Sequence, residues 1–440
     1  MIPAMIPRAS TFAFVLAACT ASAEDVRPPE NELYFPTGMA MSPDDGVLFV
    51  TSANSDLRYD SGTIAAIDVE TVDRVVTAYK TSGEIADGCT ADQESTGTIE
   101  CEEAGFLIGG GGVRIGNFTS ALGVQDKGGG NLRLLVPVRG DPSVTWVEWD
   151  GAARALSCGG GQGFELCDGD HRLTRLRDDA ELPELPAEPF AVYVDSVAEI
   201  AVVTHLSSGT VSLVDSPSAG TPVLADAVSG LFGGSGTARG ATGVAGRQPG
   251  DGNIIYVQSR TEDRIQMVSI AREAGGLPFL VPSSYFFLNG VGGAGGSSSD
   301  SRGVAFGATG DRAYMINRAP PSLMIYDTQL GATGVPRNRL QGATDICREA
   351  SSVLVADGGA GERAFVTCFQ SGELYVVDPR GASAVEAVTS VGRGPFGLAA
   401  AETRQLLFVS TFLEDSIAVV DLDPASASFY RVVMRIGVRS

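Results

Sequence analysis

The sequence predicts an all-β protein, a seven-bladed β-propeller of four-stranded antiparallel blades, and three observations support this prediction. A unit of a small-residue start, two apolar runs and the polar turns between them recurs along the chain. The composition, with 56 Gly and 22 Pro, favours strands and turns over helices. The recurring units fill nearly all of the 440 residues and leave no room for a second domain.

The clearest copy of the unit is PFGLAAAETRQLLFVSTFLEDSIAVVDLD, which begins at Pro395. The same skeleton returns with the same spacing from Pro189 to Asp215 and from Gly303 to Asp327. A further β-like segment comes after each copy, VDRVVTAYK at 72–80 being the first. Each unit therefore has four strands, named a to d from the axis outward. We expect one domain over 36–437, with blades at about 36–80, 112–157, 189–228, 241–287, 302–342, 350–391 and 395–437.

The first unit carries a resemblance to a known family. Its residues are Pro36-x-Gly38, Ser42-Pro43-Asp44-Asp45-Gly46, Leu48-Phe49-Val50-Thr51 and Ile67-Asp68, and the last blade has a parallel set. This skeleton resembles the YVTN-repeat (YncE-like) propellers and is close to the lactonase-type seven-bladed propellers. The resemblance implies the fold. It does not choose the function, because such propellers serve as enzymes and as binding modules.

Several residues of the repeat have an expected structural role in a propeller. Glycines 38, 243, 303 and 397 start strand a, where seven strands crowd around the axis and exclude bulk. The aspartate that closes strand c is expected to cap the next turn, rather than to join a catalytic array of carboxylates. Trp146 and Trp149 lie on opposite faces of one strand and are expected in the core between blades.

The first 23 residues are typical of a signal peptide, with Arg8 followed by the short apolar run TFAFVLAA. Leu16-Ala17-Ala18-Cys19 resembles the lipobox of bacterial lipoproteins, which predicts lipidation at Cys19. Cleavage after Ala23 is the alternative. Residues 24–35 are then a tether. We expect an exported protein that contacts a membrane only through its lipid anchor. Because Thr20 rather than Asp comes after Cys19, this membrane is expected to be the outer one, with the protein facing the periplasm or the cell surface.

Six further cysteines fall into three close pairs, Cys89–Cys101, Cys158–Cys167 and Cys347–Cys368. In an oxidising compartment such pairs predict local disulfides. A zinc site would need four convergent ligands with CxxC-like spacing, and the sequence lacks that spacing. We therefore expect no metal site and no cofactor.

The charge balance argues against one class of partner. The formal net charge is −22, and an acidic surface repels phosphate backbones, so nucleic acid is not an expected partner. Catalytic motifs such as GxSxG, SxxK, HExxH and a P-loop lysine do not occur. Of the two histidines, His171 is expected to be a solvated loop residue.

Blade geometry sorts the loops onto two faces. The b–c turns and d–a connections share one face, here called the loop face. The long segments 52–62, 81–111, 158–188, 229–241 and 288–301 are predicted to lie there, which suggests a binding face. We therefore name as ligand-binding candidates Asn54, Asp56, Tyr59, Arg114, His205, Arg260, Arg302 and Arg318. The arginines would attract a small anionic or polar ligand, unless each only pairs with a nearby acid.

The sequence thus predicts a monomeric cell-envelope lipoprotein whose propeller presents the loop face to an envelope protein, a glycan or a small ligand. We expect binding rather than catalysis. The alternative is a lactonase-like hydrolase with a metal-dependent site at the mouth of the channel. That site would need three or four Glu, Asp, Asn or His ligands at the ends of strands a and b. The sequence places mostly small residues there, such as Thr37, Ala191 and Thr242.

Overall fold

The computed structural model describes residues 25–159, 163–176, 183–232, 240–250, 254–260, 262–288, 301–380 and 384–438. The expected signal peptide, Cys19 and most of the connections 229–241 and 288–301 lie outside these ranges. Seven antiparallel sheets form a ring, so the predicted seven-bladed β-propeller is confirmed. Within the ranges described, no helix has the length and apolar character needed to cross a membrane.

Blades 1 and 2 and their insertions contain β1 (Pro36–Met41), β2 (Val47–Ser52), β3 (Gly62–Asp68), α1 (Val69–Ser82), β4 (Cys89–Ala91), β5 (Ile99–Cys101), β6 (Leu107–Ile115), β7 (Gly123–Asp126), β8 (Leu132–Val138), β9 (Ser143–Asp150), β10 (Ala155–Ser157) and β11 (Arg172–Leu173). Blades 3 and 4 contain β12 (Pro189–Asp195), β13 (Ile200–His205), β14 (Val211–Asp215), β15 (Val223–Val228), β16 (Ala241–Gly246), β17 (Ile255–Ser259), β18 (Arg264–Arg272) and β19 (Pro278–Phe287). Blades 5 to 7 contain β20 (Ser301–Phe306), β21 (Arg312–Arg318), β22 (Pro321–Asp327), β23 (Arg339–Asp345), β24 (Ala350–Asp357), β25 (Glu362–Cys368), β26 (Glu373–Asp378), β27 (Ala384–Ser390), β28 (Pro395–Ala401), β29 (Leu406–Thr411), β30 (Ser416–Asp421) and β31 (Val432–Ile436). Single 3-10 turns lie at Glu103–Gly105, Gly169–His171 and Glu402–Arg404.

Blade 1 contradicts the strand expected at 72–80, because this segment belongs to helix α1. Asp68 caps the helix by accepting hydrogen bonds from the backbone N–H groups of Glu70 and Thr71, and Gly83, with φ of 72°, ends it. The outer strand of blade 1 is β6, which pairs with β3. The segment 83–106 is therefore inserted between strands c and d, and the prediction of a d–a connection at 81–111 was wrong.

This inserted segment covers the outer edge of the last blade. Strand β5 pairs in parallel with β31, and β4 pairs with β5, so the sheet of blade 7 has six strands. The Thr98 hydroxyl donates a hydrogen bond to the carbonyl of Val432 at 2.9 Å. The ring therefore closes by extension of the last blade with chain from the first.

Helix α1 strengthens the same junction from beside the hairpin. Its valines 69, 72 and 76 are buried in one cluster with Phe408, Val419 and Met434 of blade 7. The Lys80 ammonium lies 2.8 Å from the buried carboxylate of Asp421. Burial opposes ionisation of Asp421, but hydrogen bonds from Lys80 and from nearby serines outweigh burial and lower the pKa of the carboxyl.

A ring of side-chain-to-carbonyl hydrogen bonds joins successive blades around the axis. Hydroxyl groups make the bond at six of the seven junctions, and Arg318 makes it between blades 5 and 6. The pairs are Thr37 with Thr119, Ser120 with Phe190, Thr204 with Thr242, Thr242 with Ser301, Arg318 with Ala350, Ser351 with Pro395, and Ser410 with Thr37, at 2.6 to 3.3 Å.

The glycines predicted at the start of strand a lie beside the axis as expected. A Cβ on Gly397 would lie 2.1 Å from the carbonyl oxygen of Thr37, and one on Gly38 would lie 2.5 Å from the carbonyl carbon of Ala121. Neither position can accept a side chain without moving backbone of the next blade. The crowding of strands around the axis therefore requires glycine at both.

Blade 2 has a divided outer strand. Strands β10 and β11 both pair with β9, at its two ends, so residues 158–171 interrupt strand d. The prediction placed this segment in a d–a connection from 158 to 188, which is correct only beyond Leu173. Trp149 packs against Phe49 of blade 1 in one core cluster, and Trp146 packs in another cluster with residues of blade 3. Their predicted place between blades is confirmed.

The three expected disulfides are all formed, Cys89–Cys101, Cys158–Cys167 and Cys347–Cys368. The first joins β4 to β5, the second closes the insertion of blade 2, and the third fixes the end of β25. Five of the six aspartates that close strand c accept a backbone N–H from the following turn, as expected: Asp68, Asp150, Asp327, Asp378 and Asp421. Asp215 instead pairs with Arg272 at 2.7 Å.

The last residues of the expected tether, 24–35, pack into the propeller. Leu33 and Tyr34 are buried, and the Tyr34 hydroxyl donates to the carbonyl of Ser61 at 3.0 Å. The backbone N–H of Phe35 donates to the Asp415 carboxylate of blade 7 at 2.6 Å. Further upstream, the Val26 carbonyl accepts the N–H of Asp60 at 2.9 Å, so any free tether ends before Val26.

Candidate functional site

The candidate site is a cavity of about 240 Å³ on the axis, where the strands a begin at the loop face. Residues of every blade contribute to its wall, so all seven repeats enclose this cavity together. The lining residues that carry its chemistry are Phe190, Arg302, Arg318, Phe369 and Phe396. They give the cavity an aromatic wall and two guanidinium groups.

The two arginines lie on the wall that blade 5 contributes. Arg318 donates from Nε to the carbonyl of Ala350 at 2.7 Å, and its Nη1 lies 3.0 Å from the Glu349 carboxylate. Arg302, at the second position of β20, also lines the cavity. The sequence analysis named both arginines as ligand-binding candidates on the loop face, and the structure places both in the lining of this cavity.

Among the residues described, the lining of this cavity includes no Asp, Glu, His or Cys. In the same part of the chain, no group of three such side chains is placed to hold a metal ion. The lining offers hydroxyl, guanidinium and aromatic groups. This set can bind a ligand by hydrogen bonds, charge and apolar contact, but it supplies no side chain that acts as a general base near neutral pH.

One position of strand b lies just before the residue that pairs with the start of strand a, and it lacks a hydroxyl group in three blades. Thr51, Thr204, Thr367 and Ser410 occupy this position in blades 1, 3, 6 and 7, and each hydroxyl accepts the N–H of a residue in strand a at 2.7 to 3.1 Å. In blades 2, 4 and 5 the position holds Pro137, Gln258 and Ile316. The axial pattern of hydroxyl groups therefore breaks in blade 2 and in the two neighbouring blades that carry Gln258, Arg302 and Arg318.

Gln258 is the most unusual polar group near the axis. Its side chain is fully buried, and neither amide atom has a hydrogen-bond partner among the described residues. It lies against Gly243 of the cavity wall, where a Cβ would come 2.5 Å from the Gln258 Oε1. A buried amide without partners costs roughly 1–3 kcal/mol, so its presence needs a reason.

Arg114 is not at the axis, which corrects the sequence prediction. It lies in β6, the outer strand of blade 1, because helix α1 displaced the strand expected before it. Its buried guanidinium is 2.9 Å from Asp60 and 3.8 Å from Glu165. Arg114 therefore fastens the b–c turn of blade 1 to the insertion of blade 2.

His205 is also a structural residue in this fold. It ends β13 fully buried, with Nδ1 3.2 Å from the Ala187 carbonyl and Nε2 2.8 Å from the Ser212 hydroxyl. Burial lowers the pKa of the imidazole to about 4, against the hydrogen bonds to backbone carbonyls that raise it. A neutral ring that donates from Nδ1 and accepts at Nε2 satisfies both contacts.

The turn 52–62 lies on the loop face but outside the axial cavity. Buried Asn54 donates to the carbonyl of Tyr59 at 2.7 Å and thereby holds the turn in shape. Asp56 pairs with Arg58 at 2.7 Å, and the Tyr59 ring meets Tyr34 edge to face. These predicted ligand-binding residues organise the turn and are not brought to the two arginines.

Arg260 and His171 are also separate from the axis. Arg260 is exposed on the b–c turn of blade 4 and does not line the cavity. His171 lies in a loop as expected, but 16% of its side chain is exposed, so it is only partly solvated. It stacks on Trp146 with the ring centroids 3.9 Å apart, and its Nδ1 lies 2.8 Å from the Asp168 carboxylate.

Comparisons with known proteins support the fold. No protein-family model matches the sequence, and no curated protein matches it significantly. A solved structure of a proposed 6-phosphogluconolactonase from Bacteroides uniformis is 12% identical, with a TM-score of 0.59, over 89% of this chain and 96% of that one. One from Bacteroides fragilis is 15% identical, with a TM-score of 0.54, over 79% and 98%.

The periplasmic gluconolactonase of Pseudomonas aeruginosa is 13% identical, with a TM-score of 0.51, over 80% of this chain and 84% of that one. At such identities the likeness concerns the fold alone. This chain is thus a seven-bladed propeller with lactonase structures among its structural neighbours. The resemblance to YVTN-repeat propellers stays a prediction.

The buried imidazole of His205 predicts a pH dependence of stability. The folded pKa of about 4 lies below the value of about 6.5 in an unfolded chain, so below pH 6.5 the unfolded chain takes up a proton that the folded chain does not. Stability should therefore fall as the pH drops from 6.5 to 4. Urea unfolding at pH 7 and pH 4 measures the free energy of unfolding at each pH. Between pH 7 and pH 4, this free energy should fall by about 3 kcal/mol more in the wild type than in His205→Gln. Equal losses in both proteins would contradict the assignment of a neutral imidazole.

Proposed function

We propose that this protein is a binding module that takes a small ligand into the axial cavity from the loop face. The observation that carries the proposal is the unpartnered, fully buried amide of Gln258 against the cavity wall, where most other blades have a small hydroxyl group. A folded chain accepts that cost where the polar group has a role outside the fold itself. A ligand in the axial cavity gives the amide such a role if it supplies the missing hydrogen-bond partner.

The lining also indicates the class of ligand. Phe190, Phe369 and Phe396 offer apolar ring surface, and Arg302 and Arg318 offer guanidinium donors. Arginine recognises carboxylate groups through paired N–H donors. The ligand that fits best is a small molecule with an apolar body and one anionic group. The cavity volume of about 240 Å³ favours a small molecule over a polymer.

The proposed location is the bacterial cell envelope, with the chain exported and anchored by a lipid on Cys19. The three disulfides support export, because such bonds persist in oxidising compartments. The Val26 carbonyl already accepts the N–H of Asp60 at 2.9 Å, which leaves only residues 20–25 after Cys19 as the link between the lipid and the propeller. The disc would then be held close to the membrane surface, with partners reaching it at the loop face.

A lactonase-like hydrolase is the alternative function. Its support is the fold shared with solved lactonases, together with arginines at the axial cavity that could hold a sugar acid. Against it stands the lack of His, Asp and Glu in the described lining. Hydrolysis of D-glucono-1,5-lactone that is lost in Arg302→Gln would favour this alternative over binding without turnover.

Binding of a small aromatic carboxylate tests the axial site. Calorimetric titration with benzoate should give saturable binding to the wild type, and benzyl alcohol, which lacks the charge, should bind at least about ten-fold more weakly. Arg302→Gln should weaken benzoate binding by a similar factor. Arg260→Gln, on the same face but outside the lining, is the matched control and should bind as the wild type does.

Gln258→Met adds a measurement that does not depend on the choice of ligand. Removing a buried amide without partners should raise the free energy of unfolding by roughly 1 kcal/mol or more, because methionine fills similar space and has no polar group to satisfy. The same variant should bind benzoate more weakly. A loss of stability in Gln258→Met, or benzoate binding that is unchanged in Arg302→Gln, would contradict the proposed site.

Lipidation has its own test in a bacterial host. A clickable palmitate analogue should label the wild-type chain, and Cys19→Ala should lose both the label and the membrane fraction. An unlabelled wild-type protein whose mature N-terminus is Glu24 would show ordinary cleavage after Ala23 and would exclude the anchor.

A further inference from the structure

A second cavity, of about 710 Å³, lies on the loop face between blades 1 and 2. Its walls come from segments that depart from the regular repeat: the b–c turn 52–62, the connection 115–118, the b–c turn 139–141 and the insertion that Cys158–Cys167 closes. It shares no lining residue with the axial cavity, so a ligand bound here is independent of the proposed axial function.

Most of the charged groups in this cavity are already paired. Asp60 is bound by Arg114 at 2.9 Å, and Asp141 is in direct contact with Arg172. These two ion pairs fix the outer wall. Two charged residues of the lining remain without a described ion pair, the cation Arg139 and the anion Glu188.

Arg139 is partly buried but has few partners. Its Nε donates to the carbonyl of Phe118 at 3.3 Å, and its guanidinium lies 5.9 Å from the centre of the Phe190 ring. Among the described residues, no carboxylate comes within ion-pair distance of it. Burial lowers the pKa of this guanidinium, and the nearby Glu188 carboxylate acts in the opposite direction. The terminal N–H groups thus have room for an anion from outside the chain.

Glu188 is the complementary group. It lies in the connection that leads into β12, with a φ of 53°, and its backbone carbonyl accepts the N–H of Leu206 at 2.9 Å. This backbone bond fixes its place at the cavity. Its carboxylate makes no ion pair or hydrogen bond within the described part of the chain. It acts on Arg139 through the cavity without touching it.

We propose that the cavity between blades 1 and 2 binds a small zwitterion, with Arg139 holding its carboxylate and Glu188 holding its ammonium group. Two unpaired opposite charges that line one cavity without meeting match a ligand that carries both charges a short distance apart. Leu57, Phe118 and Leu166 supply an apolar wall beside them. The ligand class is therefore a free α-amino acid with an apolar side chain.

Leucine and its one-charge analogues test this proposal directly. Calorimetry on the full mature protein should detect binding of L-leucine or L-phenylalanine at millimolar concentrations or below. For the leucine shape, 4-methylpentanoate lacks the ammonium group and 3-methylbutylamine lacks the carboxylate. Each should bind at least about ten-fold more weakly than L-leucine, because only one of the two ion pairs with the cavity can then form.

The variants assign the two contacts. Arg139→Gln should abolish the advantage of L-leucine over 3-methylbutylamine, and Glu188→Gln should abolish its advantage over 4-methylpentanoate. Arg260→Gln, at an exposed arginine of the same face on blade 4 and outside this lining, is the matched control and should leave binding unchanged. Equal unfolding midpoints would show that each variant is folded. Absence of binding by both amino acids, or binding that survives Arg139→Gln and Glu188→Gln unchanged, would overturn the proposal.

Discussion

The structure depends on closing a ring of seven sheets whose first and last members are far apart in sequence. Each of these two blades builds its own strands a to d, so no strand is exchanged between them to lock the ring. The two blades pack face to face, with Leu48 and Val50 in one cluster with Phe408, and the insertion of blade 1 adds to this closure by laying helix α1 and the β4–β5 hairpin along blade 7. The disulfide Cys89–Cys101 holds that hairpin together, and the Lys80–Asp421 pair joins the helix to the last blade.

Closure at the rim has its counterpart at the axis. Only a closed ring brings the Ser410 hydroxyl to the carbonyl of Thr37, which completes the circle of inter-blade hydrogen bonds. Within that circle, most blades have a Thr or Ser hydroxyl group in strand b that binds strand a. This hydroxyl group is missing in the blades of Gln258 and Arg302. The axial cavity thus keeps its shape because the junction of blades 1 and 7, here called the seam, is closed. The polar groups that distinguish the cavity come from blades 4 and 5.

The sequence was sufficient for the parts of the fold that repeat. The glycines at the axis, the capping aspartates and the disulfide pairs result from local rules that tertiary structure did not override. Helix α1 was missed because the repeat required a strand there, although Val69, Val72 and Val76 have helical spacing between Asp68 and Gly83, which are typical caps. That single error moved Arg114 from the outer strand to the axis.

The site was predictable only in part, for a physical reason. Arg302 and Arg318 could be placed by counting strands, since the ends of strands a and b converge on one face. Partners set by the exact shape of a turn or by the neighbouring strand could not be placed, so His205 and Asn54 were proposed for ligands although they bind other groups of the fold. Gln258 was detectable as a break in the Thr or Ser pattern of strand b, but its lack of partners is visible only in three dimensions.

Hydrogen–deuterium exchange of a variant with a weakened seam tests the role of closure most directly. The comparison is Cys89→Ala/Cys101→Ala against the wild type, with Cys158→Ala/Cys167→Ala as the matched loss of a disulfide away from the seam. Chain entropy assigns each bond a similar contribution of about 3 kcal/mol. Only the first double variant should exchange faster in both β28–β31 and β1–β3, on the two sides of the seam. Faster exchange confined to residues 83–106 would contradict the view that this segment closes the ring.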